Sequence, residues 1–455
     1  MESTDRQTPP PTARRSLRCG TGLALTFASA SASASVFAFA FAFAFAFSLD
    51  SSPSAHAAAA GGDWPTWRGP QRDGRSPETG LLKSWPESGP ALAWQATGLG
   101  AGFSSVSVSG DLLLTSGDTG ADSQVIALKR SDGKPLWSAK LGKSGAPGWG
   151  GFAGPRSTPT VDGGLVFAIG QFGEIACFET ATGKEVWRKH LVEDFGGKLP
   201  EWGYSESVLA DGANVVCTPG GPNGAIVALQ KRTGNVAWRS KAFTDNAEYA
   251  SLVPAEFGGS RQYIQLTQAS VAGVAAADGA LLWRAPRKGN VAVIPTPVFD
   301  NGLVYVSSGY GVGCNLFKVT AADGKFSAEQ AYANKVMKNH HGGVVLLDGF
   351  IYGHSDETGW VCQDIKTGKA AWEEKGKLGK GSLAYADGML VLREENKEKS
   401  QVALVEASPT GYHEKGRFLQ PNRSGKEAWA HPVIAGGKLY LRDQDVLLCY
   451  DIKTR

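Results

Sequence analysis

The stretch CFETATGKEVW, residues 177–187, decides how this chain folds. It returns as ALQKRTGNVAW (228–238) and CQDIKTGKAAW (362–372), and more loosely as ALKRSDGKPLW (127–137) and VAAADGALLW (274–283). Each copy carries a small residue, then a Thr-Gly or Asp-Gly pair, then a Trp four residues after the Gly. Trp94, Trp137, Trp187, Trp238, Trp283 and Trp372 are 43, 50, 51, 45 and 89 residues apart. The last gap spans two repeats, with a worn copy, KVTAADGKFSA (318–328), inside it; another, LVEASPTGYHEK (404–415), follows Trp372. A period of about 45 residues is the size of one four-stranded propeller blade.

A second signature precedes each copy. In TPTVDGGLVFAIG, SVLADGANVVCTPGG and TPVFDNGLVYVSSG an apolar run meets Asp-Gly or Asn-Gly, and a second apolar run follows. Such pairs accept the positive φ of tight hairpin turns. The first two strands therefore form a hairpin, the third carries the small residue, the Gly reverses the chain, and the outer strand carries the Trp. Its ring buries against a neighbouring blade. One blade cannot bury both faces, so the copies stack in a ring. Seven copies are complete. The eighth, HPVIAGGKLYLRDQDVLLCYDIKTR (431–455), has three strands, and residues 91–97, with Trp94, supply the fourth. The expected fold is all-β: an eight-bladed β-propeller of four-stranded antiparallel blades over 91–455, with its last blade closed by an N-terminal strand so that no long sheet edge stays free.

The composition agrees, with 59 Gly and 13 Trp but only 3 Met among 455 residues. The formal net charge of +3, without a basic block, gives no footprint for nucleic acid. The first residues are different. Arg14, Arg15 and Arg18 precede an uncharged run over 21–49, and small residues sit at Ala55 and Ala57. This pattern predicts an export signal over 1–57, and hence a periplasmic or extracellular protein. The apolar run is also long enough for a membrane anchor, and the paired arginines loosely resemble a twin-arginine signal. Residues 58–90 lie outside the repeat and are expected to run extended across one end of the disc, anchored by Trp64 and Trp67.

These repeats resemble the tryptophan-docking repeats of pyrroloquinoline-quinone (PQQ)-type propellers, A-x-D-x-x-T-G-x-x-x-W, over roughly 91–455. DWPTWRGPQRDGRSPETGLLKSWPESGP (63–90) is similar to the opening of exported bacterial PQQ-like repeat proteins. The resemblance implies two kinds of activity. One is that of the quinoprotein dehydrogenases, which oxidise alcohols with PQQ and calcium. The other is that of the non-enzymatic propeller lipoprotein of outer-membrane barrel assembly. The dehydrogenases carry an adjacent Cys-Cys disulfide, and this sequence has no such pair. Nor does any segment match their calcium and base residues. Cys177, Cys217, Cys314, Cys362 and Cys449 are widely spaced and read as packing residues rather than a disulfide or metal framework.

Loops leading into the innermost strands gather at the mouth of a propeller channel, the default place for a ligand. GWGGFAGPRS, EWGYSES, EYAS, NHHGG and AWAH hold that position. They present Trp149, Arg156, Trp202, Tyr204, Glu206, Tyr249, Asn339, His340, His341, Trp429 and His431 as candidate ligand-binding residues. The plainer alternatives are that the tryptophans cap blade packing and that the histidines bond loop carbonyls. His340, His341, His431 and Glu206 are also ligand types for Zn or Cu, although adjacent histidines on a strand point opposite ways. Arg156 is suited to a carboxylate, of a ligand or of Glu206. The sequence therefore favours an exported binding or scaffold module for a protein, glycan or small ligand over a PQQ-dependent or divergent oxidoreductase.

Overall fold

A computed structural model describes residues 62–148 and 152–454. The expected export signal or anchor over 1–57 lies outside the described residues. Every regular element among them is a β-strand, arranged as eight four-stranded antiparallel blades. Blades 1 to 7 occupy residues 107–143, 160–190, 209–239, 253–286, 298–334, 344–374 and 381–419. Blade 8 takes three strands from 433–451, and Ala91–Ala96 adds its outermost strand, with Trp94 opposite Cys449. The ring closes as the repeat pattern requires.

The Thr-Gly and Trp positions form one joint between neighbouring blades. A β-bulge sits immediately before Trp94, Trp137, Trp187, Trp238, Trp283 and Trp372. A bulge adds twist and re-aims the next side chain, and here four of the indoles reach the following blade. Trp137 Nε1 donates to Thr180 O at 3.0 Å, Trp187 to Lys231 O at 2.7 Å, Trp238 to Ala276 O at 3.0 Å and Trp372 to Ser408 O at 2.8 Å. The Gly has a second duty beyond its turn. A Cβ on Gly133 or Gly234 would lie 2.7 Å from the ring of Trp94 or Trp187, and one on Gly183 would lie 2.5 Å from that of Trp137. The worn copies repair the joint in other ways. In blade 5 Tyr332 takes the Trp position, lies 3.0 Å from a Cβ on Gly368, and donates to Ile365 O at 2.9 Å. In blade 7 Gly416 leaves room for Trp85, which packs edge-on against Phe418.

Around the channel a hydroxyl belt ties successive blades. His431 N–H donates to Ser105 Oγ at 2.8 Å, Ser105 N–H to Thr158 Oγ1 at 3.1 Å, Thr158 N–H to Ser207 Oγ at 2.9 Å, and Ser207 N–H to Ser251 Oγ at 3.0 Å. Past blade 4 the N-terminal residues take over. They touch all eight blades. Trp64 forms a two-bond bridge with Val108 in blade 1, and Pro65 O accepts from Val161 in blade 2, all at 2.8 Å. Arg72 donates to Ser207 O at 2.7 Å, Val208 O at 2.9 Å and Leu252 O at 2.8 Å, which joins blades 3 and 4. Trp67 Nε1 donates to Thr296 Oγ1 at 3.0 Å beside blade 5, and Arg68 donates to Val344 O of blade 6. Arg75–Ser76 pairs in parallel with Tyr385 and Ala386 of blade 7, and Glu78 accepts from Gly437 of blade 8 at 2.6 Å. Arg68 and Arg72 both adopt positive φ, 61° and 58°. This uncommon conformation for a non-Gly residue is held here by their carbonyl partners. The two arginines are thus anchors as much as Trp64 and Trp67.

Two substitutions test this account. Gly234→Ala combines a φ of +69° with the Trp187 clash, whereas Gly324→Ala has the same strain (φ +72°) and open space. The first is expected to cost about 2–4 kcal/mol and the second about 1 kcal/mol in urea unfolding. Arg72→Met strands three buried carbonyls and is expected to cost about 3 kcal/mol or more, with faster proteolysis within residues 62–89.

Candidate functional site

A cavity of about 280 Å³ is lined by Trp67 and Arg68 of the N-terminal segment, the strap, and by the lead-in loops. Of the residues singled out in the sequence, Arg156, Trp202, Tyr249, His340, His341, Trp429 and His431 line this cup. Trp149 lies outside the described residues. The remaining three are turned into the blades. Tyr204 Oη donates to Pro219 O at 2.9 Å, Glu206 accepts from Thr218 N at 2.7 Å, and Asn339 Nδ2 donates to Gly343 O and His354 O at 2.9 Å each. Within residues 204–207 the period of an extended chain explains this sorting. In EWGYSES, Ser205 and Ser207 face the cup while Tyr204 and Glu206 face away. Burial raises the Glu206 carboxyl to about 7, against the opposing effects of its Thr218 hydrogen bonds and the Arg72 charge.

One side of the cup is a continuous column of rings. Tyr310 meets His340 edge-on at 4.5 Å, His340 stacks on His341 at 3.6 Å, His341 on Trp429 at 4.4 Å, and Trp429 on Phe103 at 4.3 Å. The Arg156 guanidinium caps the column 5.4 Å above Phe103. The two histidines point the same way because residues 339–343 form no regular strand. Their outer nitrogens are engaged, His340 Nδ1 with Lys380 Nζ at 2.6 Å and His341 Nδ1 with Glu395 at 3.3 Å. Among the described residues no three His, Cys, Asp or Glu side chains converge on one metal position. Among the described residues Arg156 bonds neither Glu206 nor any other carboxylate directly. It donates to Gly154 O at 2.9 Å and Phe152 O at 2.8 Å.

Phe103, Tyr310, Trp67, Arg68 and the wall over 292–296 were not among the sequence candidates. GAGFSS (100–105) and VAVIPT (291–296) do precede innermost strands at the repeat position, so a strict count of lead-in loops finds them. The strap residues carry no repeat signal.

A calcium–quinone pair does not fit this lining. No carboxylate of the described residues lines the cup, Glu206 is turned away to Thr218, Glu395 stands behind His341, and all five described cysteines are buried and unpaired.

Burial, with positive neighbours adding to it, holds His340 and His431 far below the usual imidazole value of 6.5, at about 2 and about 3. The unfolded chain therefore binds more protons than the fold between these values and 6.5, so their contribution makes stability fall as pH drops through that window. The stability difference between the native protein and a His340→Gln/His431→Gln variant is expected to shift steadily against the native protein from pH 6.5 towards pH 3. Urea midpoints measured across that range check it.

Residues 121–374 match the family described as outer membrane protein assembly factor BamB. No curated protein matches the sequence. Among solved structures, the quinohemoprotein alcohol dehydrogenase of Comamonas testosteroni is similar at 12% identity and a TM-score of 0.61, over 88% of this chain and 82% of the enzyme. The computationally designed Ika8 protein is similar at 11% identity and a TM-score of 0.54, over 80% of this chain and 100% of Ika8. Sqt1 of Saccharomyces cerevisiae is similar at 10% identity and a TM-score of 0.52, over 82% of this chain and 99% of Sqt1. At such identities the structures share the fold alone. The family match spans more than half of the chain and includes the docking joints of its central blades, and by it the chain belongs to the PQQ-like propeller family described as outer membrane protein assembly factor BamB.

Proposed function

We propose that this protein is an exported binding module whose channel mouth holds a small ligand. The observation that carries the reading is the cavity itself. Trp67 and Arg68 of the strap join the lead-in loops around a ring-walled cup of about 280 Å³, close to the range of small-molecule sites. Residues 1–57 act as the export signal or anchor in this reading, which puts the module in the periplasm or outside the cell. The family's description supports a scaffold role in which the rim engages a protein, and that surface is separate from the cup. An oxidoreductase reading rests on the likeness to the quinohemoprotein alcohol dehydrogenase, and the lining chemistry does not favour it.

Ser205 is a small, partly exposed residue of the cup wall. Ser205→Trp is expected to fill the cup, leave the melting temperature within about 2 °C, and abolish binding of small aromatic fragments in ligand-observed NMR. Saturable binding that survives the filled cup would place the site elsewhere. Turnover of alcohols after addition of PQQ and Ca²⁺ would favour the oxidoreductase.

A further inference from the structure

We infer that the cup takes a small organic carboxylate, with its charge on Arg156 and its apolar body against the edges of the ring column. The inference rests on the cup being a ligand site. The lining holds two guanidinium groups, Arg68 and Arg156, and among the described residues no carboxylate. Arg156 uses two of its five N–H groups, on Gly154 O and Phe152 O. The carboxylates behind the lining are engaged elsewhere. Asp118 accepts from Gly145 N at 2.7 Å and from Gln171 Nε2 at 3.0 Å, and Glu206 accepts from Thr218 N at 2.7 Å. Burial lowers the Arg156 guanidinium to about 10, so it keeps its charge at neutral pH.

The other polar atoms of the lining lean the same way. His340 Nδ1 lies 2.6 Å from the Lys380 ammonium, which can only donate, so the neutral ring carries its proton on Nε2. That Nε2 is buried and without a partner, and so is Arg68 Nη1. Ser207 and Ser251 accept backbone N–H bonds within the belt and keep their hydroxyl hydrogens. Against these donors stands the bare acceptor His431 Nδ1, whose ring donates through Nε2 to His341 O.

The rings add to this bias. His341 is covered by His340 at 3.6 Å and by Trp429 at 4.4 Å, and Trp429 is covered in turn by His341 and by Phe103 at 4.3 Å. With their faces against one another, these rings have their edges left for a ligand, and the edge is the positive part of an aromatic ring. A carboxylate therefore meets a buried cation with free N–H groups, and a charge-assisted bond there is stronger than one to a neutral carbonyl of the same shape. The volume of about 280 Å³ leaves room for a body the size of a cyclohexane ring.

The test uses cyclohexanecarboxylate and cyclohexanecarboxamide, titrated calorimetrically at neutral pH into the purified protein, into Arg156→Gln and into Ser205→Trp. The carboxylate is expected to bind the unaltered protein at least tenfold more tightly than the amide. Arg156→Gln, which keeps donors for the loop carbonyls, is expected to bring the two probes within threefold of each other, and the filled cup to bind neither. Equal or tighter binding of the amide, lost in Ser205→Trp, would overturn the charge preference while leaving the cup as a ligand site; this comparison on the unaltered protein decides the point whether or not Arg156→Gln folds. A carboxylate preference that persists in a folded Arg156→Gln would overturn the role of Arg156. Failure of both probes to bind the unaltered protein, or binding indifferent to Ser205→Trp, would overturn the cup reading and this inference with it.

Discussion

An indole laid on a neighbour's glycine holds this ring together. Trp94, Trp137, Trp187 and Trp238 lay their rings over a glycine turn of the next blade, and four of the docking indoles, those of Trp137, Trp187, Trp238 and Trp372, donate to a carbonyl of the next blade; Trp283 instead stays within its own blade, on Gly273 and Gln262. Neither half of the joint works alone. A side chain at the glycine would push the ring out, and without the bulge before the Trp the ring would not be turned sideways. The joint links only neighbours, so it can build an open spiral as readily as a disc. What makes a disc is Ala91–Ala96. Its Trp94 sits on Gly133 of blade 1 while its backbone pairs with 447–451 of blade 8. The two ends of the propeller are thus fastened in one strand, and the ring has no first or last joint to fray.

This joint was legible in the sequence because it needs particular residues at a fixed spacing. Blade number, blade order and the closing strand all follow from Thr-Gly and Trp positions. The parts that were not legible are those that many residue types can fill. Tyr332 does the work of a Trp with a hydroxyl in place of an indole N–H, and Trp85 reaches blade 7 from outside the repeat. The hydroxyl belt of Ser105, Thr158, Ser207 and Ser251 does recur at the repeat position, but serine and threonine are too common for that recurrence to stand out. At the site, naming the lead-in loops found the right segments, and the twofold period of an extended chain then split them. Reading the alternation in EWGYSES assigns Tyr204 and Glu206 to the opposite face from Ser205 and Ser207. Which face is the cup depends on long-range packing that no local pattern records.

The strap is where the repeat logic stops and the individuality of the chain begins. An eightfold arrangement of similar blades leaves a channel ringed by backbone carbonyls, and inward-facing carbonyls need donors. Arg72 alone satisfies three of them from two blades, and Arg68 reaches a fourth in blade 6. Guanidinium suits this duty because its several N–H groups fan out in one plane. Burial lowers both guanidinium groups to about 10, still well above neutral pH, so both remain charged. Other buried arginines act in the same way at the seams between blades. Arg442 of blade 8 donates to Ser104 O at 3.1 Å beside blade 1, and Arg393 of blade 7 donates to Ala430 O at 2.9 Å beside blade 8.

The character of the cup follows from that economy of donors. A site rich in arginine and histidine reads, as a list of residue types, like a place for an anion. Part of that polarity belongs to the scaffold: Arg68 to the strap and blade 6, Arg156 to its own loop, and the His431 Nε2 proton to His341 O. The rest stays with residues that line the cavity: the N–H groups of Arg156 beyond its two loop bonds, and the hydroxyl hydrogens of Ser207 and Ser251, whose oxygens only accept within the belt. The fastening of the strap and the chemistry of the cup thus draw on the same kind of group, the buried guanidinium.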